Sequence, residues 1–332
     1  MKEKEDILKA QSLQEKIKLI KSEVAKKIVG QEEVIEEIIV SLLCKGHCLI
    51  IGVPGLAKTM IVHTLADVLD LEFNRIQFTP DLMPSDITGT EIIEENPIDR
   101  KRSYRFIKGP IFANIVLADE INRTPPKTQS ALLQSMQENK VTVNGVTYPL
   151  PQPFFVLATQ NPIEQEGTYT LPEAQLDRFF FQVNINYPTE QQEKEILNRT
   201  TGVMEAETKK VVSKEEIMDL QNFVRRVPIS ENVIDYIVKV VRSTRPSEEK
   251  ASEIVKKYVL WGCGPRAQQT LVLASKVCAL ISGRYAVSIE DVKKVVHPAL
   301  RHRIILNFQA EAEGIKPDEI IEKVITEVDK KS

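Results

Sequence analysis

A lysine and a threonine side by side, Lys58-Thr59, close a loop that reads Gly52-Val53-Pro54-Gly55-Leu56-Ala57-Lys58-Thr59 and runs into Met60. These residue types suit an anion. Backbone N–H groups around the glycines can turn inward on phosphate, and a following helix adds positive potential at its N-terminus. The lysine would reach the β- and γ-phosphates, and the threonine hydroxyl would hold Mg²⁺. Some sixty residues further on, Ile115-Val116-Leu117-Ala118 ends in two acids, Asp119 and Glu120. A buried strand that ends in adjacent carboxylates loses solvation energy unless something uses the charge. Beside a phosphate loop the expected division is that Asp119 orders Mg²⁺, largely through water, while Glu120 polarises the water that attacks the γ-phosphate. An isolated Asp-Glu pair is no more than a helix N-cap. In this order the two motifs predict a bound nucleoside triphosphate.

Further polar residues cluster at predicted strand ends. Phe155-Val156-Leu157-Ala158-Thr159 ends in Gln160-Asn161-Pro162. There an amide could contact both the γ-phosphate and the attacking water, or simply make the turn before proline. Arg178, in Leu176-Asp177-Arg178-Phe179, reads either as a helix-surface cation or as a charge aimed at a neighbouring subunit's nucleotide. One position departs from the strict phosphate-loop pattern. Ala57 stands where glycine precedes the lysine, and it is expected to open the helix at negative φ, where a methyl group is tolerated. Cys44, His47 and Cys48 are close enough to suggest metal. They sit at the start of a strand whose alternate residues face opposite ways, so small, buried and reduced thiols are the expected reading.

The elements that must position these residues fall into two compositional halves. Up to about Pro188, short apolar strands alternate with helices. Strands are predicted at Cys48–Ile51, Phe73–Phe78, Ile115–Ala118, Phe154–Thr159 and Phe180–Ile185, with a helix over Glu32–Leu43 and an earlier one carrying Leu13, Ile17, Ile20, Val24 and Ile28. The pattern implies an α/β fold, a mostly parallel sheet covered on both faces. Beyond Pro188 the strand signals stop and helices follow one another. Thr189-Glu190-Gln191-Gln192, Ser213-Lys214-Glu215-Glu216 and Ser288-Ile289-Glu290-Asp291 are capping-box starts, and Gly264-Pro265-Arg266 puts proline in a first helical turn. The expected division is therefore residues 1–188 as an α/β nucleotide domain and 189–332 as a smaller all-helical lid. Two segments interrupt the first half. Val141–Tyr148, with Asn144-Gly145 between alternating β-formers, predicts a hairpin. The charged stretch 86–109 is a second candidate insertion that could project from the core, with a solvated loop as its plainer reading.

Composition narrows the partners. The chain has 332 residues, 42% of them apolar, and a formal net charge of −3, so no strongly basic nucleic-acid or membrane binder is indicated. No apolar run approaches the roughly twenty residues of a membrane span, and the Lys/Glu-rich N-terminus is unlike a signal peptide. Four cysteines do not make a disulfide framework at this length, which fits the cytoplasm.

Taken together, GVPGLAKT, VLADE, ATQNP, LPEAQLDRF and WGCGPRA resemble an AAA+ ATPase, and specifically the MoxR family. The stretches Lys108–Phe112, Asn122–Gln129 and Gln165–Tyr169 are especially MoxR-like. The resemblance implies ATP and Mg²⁺ as cofactors. It implies that Lys58, Thr59, Asp119 and Glu120 act as described and that Asn161 is the sensor at the γ-phosphate. It makes Arg178 the arginine finger given to the adjacent subunit and Arg266 the second sensor on the lid, acting in cis or in trans. Val29-Gly30-Gln31 matches the segment that lines the adenine pocket, and the hairpin and the 86–109 stretch match two insertions shared with chelatase and minichromosome-maintenance proteins. Arg123 reads equally as an intersubunit contact or a local salt bridge. A homo-oligomer, hexameric by resemblance, is implied, with a von Willebrand factor type A protein as adaptor.

The function so implied is remodelling or maturation of client proteins, with metal-cofactor insertion as one form of it. A nucleic-acid motor shares the two insertions but would want Lys or Arg at the hairpin tip to meet phosphates. Here the tip is Asn144-Gly145, with no basic residue between Val141 and Pro153. A nucleotide switch that does not hydrolyse would not need Glu120, and a chelatase motor subunit would need dedicated partners.

Overall fold

The computed structural model describes residues 2–95, 102–164, 167–202, 207–249 and 251–330. Gln165 and Glu166 of the motif above, and residues 96–101 of the charged stretch, lie outside the described residues. From the N-terminus, α1 (Lys2–Val24) and α2 (Glu32–Leu43) lead into β1 (Cys48–Ile51), the phosphate-loop segment and α3 (Lys58–Val68). After β2 (Phe73–Gln77) come a short helix α4 (Pro84–Thr88) and two strands, β3 (Gly89–Glu95) and β4 (Arg102–Lys108). Then follow β5 (Ile115–Asp119), α5 (Pro126–Glu138), β6 (Lys140–Val143), β7 (Val146–Pro149), β8 (Phe155–Gln160), α6 (Glu173–Leu176) and β9 (Phe181–Asn184).

Five of these strands form one parallel sheet in the order β2-β5-β8-β1-β9. Its three central strands, β5, β8 and β1, are apolar on both sides because both faces are covered. Ile115, Leu117, Phe155 and Leu157 join one apolar cluster with α1, α2 and α3, while their neighbours Val116, Ala118, Val156 and Ala158 join a second with α5.

The chain then turns helical: α7 (Glu190–Thr200), α8 (Lys214–Val224), α9 (Glu231–Ser243), α10 (Glu253–Tyr258), α11 (Pro265–Ile281), α12 (Ile289–Leu300), α13 (Phe308–Glu313) and α14 (Pro317–Lys330). Two of the three expected capping boxes close with side chain and backbone bonded both ways, at Thr189–Gln192 and Ser213–Glu216. At the third, the Ser288 N–H donates to Asp291 Oδ2 at 2.9 Å. A short antiparallel ribbon, β10 (Val259–Trp261) with β11 (Ile305–Leu306), is the one extended element of this half among the described residues. Its strands are too short to show period-two alternation in the sequence.

The Asn-Gly hairpin forms as expected, with Asn144 at φ +47° and Gly145 at +84° joining β6 to β7. The charged stretch, by contrast, is not a solvated loop. β3 and β4 pair antiparallel over seven residues each, from Gly89 opposite Lys108 to Glu95 opposite Arg102. Charged side chains on both strands hid the alternation. The two antiparallel pairs dock together: Phe106 stacks on Tyr148 at 4.1 Å between ring centres, and Asn144 Nδ2 donates to Glu91 Oε2 at 2.9 Å.

Candidate nucleotide site

The sheet register brings the motifs together. Ile51 pairs with Gln160, Ala118 with Ala158, and Gln77 with Asp119, so the carboxyl ends of β1, β2, β5 and β8 lie side by side. In open α/β sheets this edge is where ligands bind. Gly52 to Ala57 leave β1 and turn into α3, with Gly55 at φ +84° and open space where a Cβ would be. Ala57 corrects an expectation. It sits at φ +54°, left-handed, rather than at negative φ. A methyl group there costs about 1–2 kcal/mol of strain, which is why glycine is the usual occupant.

Lys58 Nζ donates to Gly52 O at 2.5 Å, back across the loop. Partial burial pulls its pKa below the ordinary lysine value, while Asp119, Glu120 and Glu164 oppose that shift through space. Thr59 follows in the first turn of α3, partly buried. Lys58 and the α3 N-terminus therefore lie near the two acids at the end of β5.

Asp119 is 8% exposed, and both its oxygens are engaged. Arg75 donates to Oδ2 from Nε at 3.1 Å and Nη2 at 2.6 Å, and Thr159 Oγ1 donates to Oδ1 at 2.6 Å. The Thr159 oxygen in turn accepts the Glu120 N–H at 2.8 Å, fixing the turn at φ +58° that aims Glu120. Glu120 Oε2 accepts from Gln77 Nε2 at 2.7 Å and lies 3.2 Å from Arg123 Nε. Arg123 also grips Glu164, so its local salt bridge is real. Sequence reasoning missed Arg75, Gln77, Thr159 and Glu164. For the first two there was a signal: polar residues two apart in a strand of an otherwise apolar sheet must share a side of it.

Asn161 comes to the same edge, buried, with its Oδ1 accepting the Ile163 N–H at 3.2 Å. Val29-Gly30-Gln31 approaches from another side. Gly30 and Gln31 are both left-handed, Gln31 Nε2 donates to Asn186 O at 3.1 Å, and a Cβ on Gly30 would stand 2.4 Å from Gln192 Nε2. The left-handed backbone favours glycine there, and with a Cβ the end of the Gln192 side chain would have to move.

Arg178 and Arg266 form a separate group. Asp177 Oδ2 accepts from Arg266 Nη1 at 3.0 Å and its Oδ1 from Arg303 Nε at 2.8 Å, so Arg266 is held one residue from Arg178. Arg303, 6% exposed, also donates to the Phe179 carbonyl at 2.7 Å and to the Ala299 carbonyl. No partner of the Arg178 guanidinium is found among the described residues. His47 has neither ring nitrogen spare for a metal. Nδ1 accepts the Val156 N–H at 3.0 Å, Nε2 faces Met136 O at 3.1 Å, and burial pushes its pKa down to about 4.

The strand order, the phosphate loop, the acids at the end of β5 and the helical second half define an AAA+ ATPase domain followed by its lid. Residues 47–181 match the family described as ATPase family associated with various cellular activities (AAA), and residues 251–324 match the AAA lid domain. The chain is 45% identical to Chaperone MoxR1 of Mycobacterium tuberculosis, over 92% of this chain and 80% of that protein. It is 42% identical to the uncharacterized protein YeaC of Bacillus subtilis, over 91% of this chain and 90% of the other. The crystal structure of a candidate ATPase from Cytophaga hutchinsonii superposes with a TM-score of 0.89 at 44% identity, covering 98% of this chain and 97% of that one. The chain belongs to the MoxR family of AAA+ ATPases.

Proposed function

We propose that this chain binds ATP with Mg²⁺, hydrolyses it at the interfaces of a homo-oligomeric ring, and uses the motion to remodel or mature client proteins. The observation that carries the reading is the separation of two groups. Asp119, Glu120 and Asn161 stand at the carboxyl ends of neighbouring strands with Lys58 close by, while Arg266 is bound to Asp177, the residue just before Arg178.

Each residue then has a task. Gly52 to Met60 wrap the phosphates, Lys58 exchanges its bond to Gly52 O for phosphate oxygens, and Val29-Gly30-Gln31 lines the base. The Thr59 hydroxyl and the Asp119 carboxylate are hard oxygen donors of the kind Mg²⁺ takes, the Asp119 contact running largely through water. When bound, that ion neutralises phosphate charge. Thr159 and Arg75 keep the Asp119 carboxylate fixed. Glu120 takes the proton of the attacking water, and Asn161 orients that water against the γ-phosphate. Arg178 stabilises the transferring phosphoryl group in the neighbouring subunit. Arg266, tied beside it, acts in trans as well.

A hexameric ring, a domain boundary at Tyr187-Pro188 and a von Willebrand factor type A adaptor belong to the same reading. A mycobacterial relative carries the name chaperone, which supports a protein client. Four buried free thiols suit the reducing cytoplasm. No described helix is long and apolar enough to cross a membrane.

Glu120→Gln tests the reading. It should retain ATP by calorimetry and hydrolyse it about a hundredfold or more slowly, the usual worth of a positioned base. Turnover at the native rate would remove Glu120 from this role.

A further inference from the structure

Arg123 is shared by two carboxylates. Glu164 grips it with both oxygens, Oε2 at 2.9 Å from Nε and Oε1 at 2.6 Å from Nη2, whereas Glu120 touches it by one edge at 3.2 Å. The Glu120 oxygen involved is Oε2, which also accepts from Gln77. The single Nε–H of Arg123 points at Glu164, so its contact with Glu120 is electrostatic; Oε2 of Glu120 carries one hydrogen bond, from Gln77, and Oε1 is the more open oxygen.

Glu164 is not placed casually. It follows Ile163, whose N–H is held by Asn161, and its charge is felt at Lys58. Beyond it the segment is fastened back beside Arg123. The Tyr169 N–H donates to Asn122 O at 2.7 Å, and Gln129 Nε2 reaches both Thr124 O at 3.0 Å and Tyr169 O at 3.3 Å.

We infer that Glu164 is a positioning residue that draws Arg123 off Glu120 and so keeps one Glu120 oxygen free for the attacking water. The inference rests on the role proposed above for Glu120. A guanidinium released by Glu164 would pair with Glu120 through both oxygens, because the two-toothed arrangement is the stronger one. Arg123 has a reciprocal duty. Without it, Glu164 would present an unneutralised charge near Lys58, where the triphosphate must sit.

The test compares Glu164→Gln, Arg123→Gln and the double variant by turnover and by calorimetric ATP affinity. Glu164→Gln should lower kcat about fivefold, the rate equivalent of one partly exposed ion pair, without weakening ATP binding. Arg123→Gln should weaken ATP binding by about the same factor. In the double variant both defects should shrink, since neither stray charge remains. Mere loosening of the segment would instead be aggravated by the second substitution. Native kcat in Glu164→Gln, or a double variant as slow as Glu164→Gln, overturns the inference. If Glu120→Gln itself hydrolyses at the native rate, the base assignment fails instead, and the calorimetric effects on ATP still report on the Arg123–Glu164 pair.

Discussion

At the carboxyl edge of the sheet, Lys58, Asp119 and Glu120 are held by contacts within and between neighbouring strands and their connecting turns. Around Asp177 the arrangement is different: Arg266 arrives from α11 and Arg303 from beyond α12, far away in sequence, and both converge on a single carboxylate. The first group sets one lysine near two carboxylates at the end of β5. The second gathers two arginines, one of them buried, on the acid that precedes Arg178. On the proposed roles, binding and hydrolysis should be separable by mutation.

The largest effect is expected from Arg178→Ala. Loss of a finger supplied to the neighbour costs roughly 10³–10⁵ in rate, and ATP affinity should largely survive. Mixed with Lys58→Ala, which keeps its finger and loses its phosphate cation, activity should return at interfaces that have both. Activity of Arg178→Ala alone, or none in a mixture shown to exchange subunits, would undo the comparison. Next comes Arg303→Leu, which strands the buried carbonyls of Phe179 and Ala299 and takes from Asp177 one of its two cationic partners. Urea unfolding should report a loss of about 3–5 kcal/mol, as for a broken buried ion pair.

A smaller effect lies at the seam between the halves. Burial of Glu37 on α2 raises its pKa to about 8, opposed by Arg301 and reinforced by Glu33, Asp318 and Glu36. Its unfolded value is 4.5, so the neutral form's contribution is full below that pH and is lost as pH rises through about 8. Glu37→Gln should therefore melt like the parent at low pH and be more stable at higher pH, by about 1–2 kcal/mol for a partly buried site. Equal stability on both sides of that window would remove the argument. The smallest effect is Ala57→Gly. Relief of left-handed strain, offset by greater freedom in the unfolded chain, should add up to about 1 kcal/mol to thermal stability without loss of ATP affinity.

These contrasts also explain what could be read beforehand. The phosphate loop, the strand-end acids and the Asn-Gly turn are local, so residue type and spacing were enough to find them. The partners that set their geometry are not local. Arg75 reaches Asp119 across a strand pairing, and Asp177 meets Arg303 across 126 positions. Ala57 shows the opposite limit. Its sequence position was correctly marked as unusual, but its backbone was assigned the wrong sign of φ, because a helix start permits either hand at the residue before it. The β3–β4 pair was lost behind its charges, since alternation cannot be seen where both faces are polar.

The cysteines divide evenly, Cys44 at the end of α2 and Cys48 in β1, Cys263 and Cys278 in the helical half, all four buried and with thiols made less acidic by desolvation. A thiol reagent therefore meets no ready thiolate on the native surface and must wait for the chain to open. Labelling rates become a clock for local unfolding, with two hands in each half. If the halves breathe as one cooperative unit all four sites should report the same opening free energy, and if the lid opens first Cys263 and Cys278 should run ahead. The chain thus carries its own reporters of how motion is partitioned.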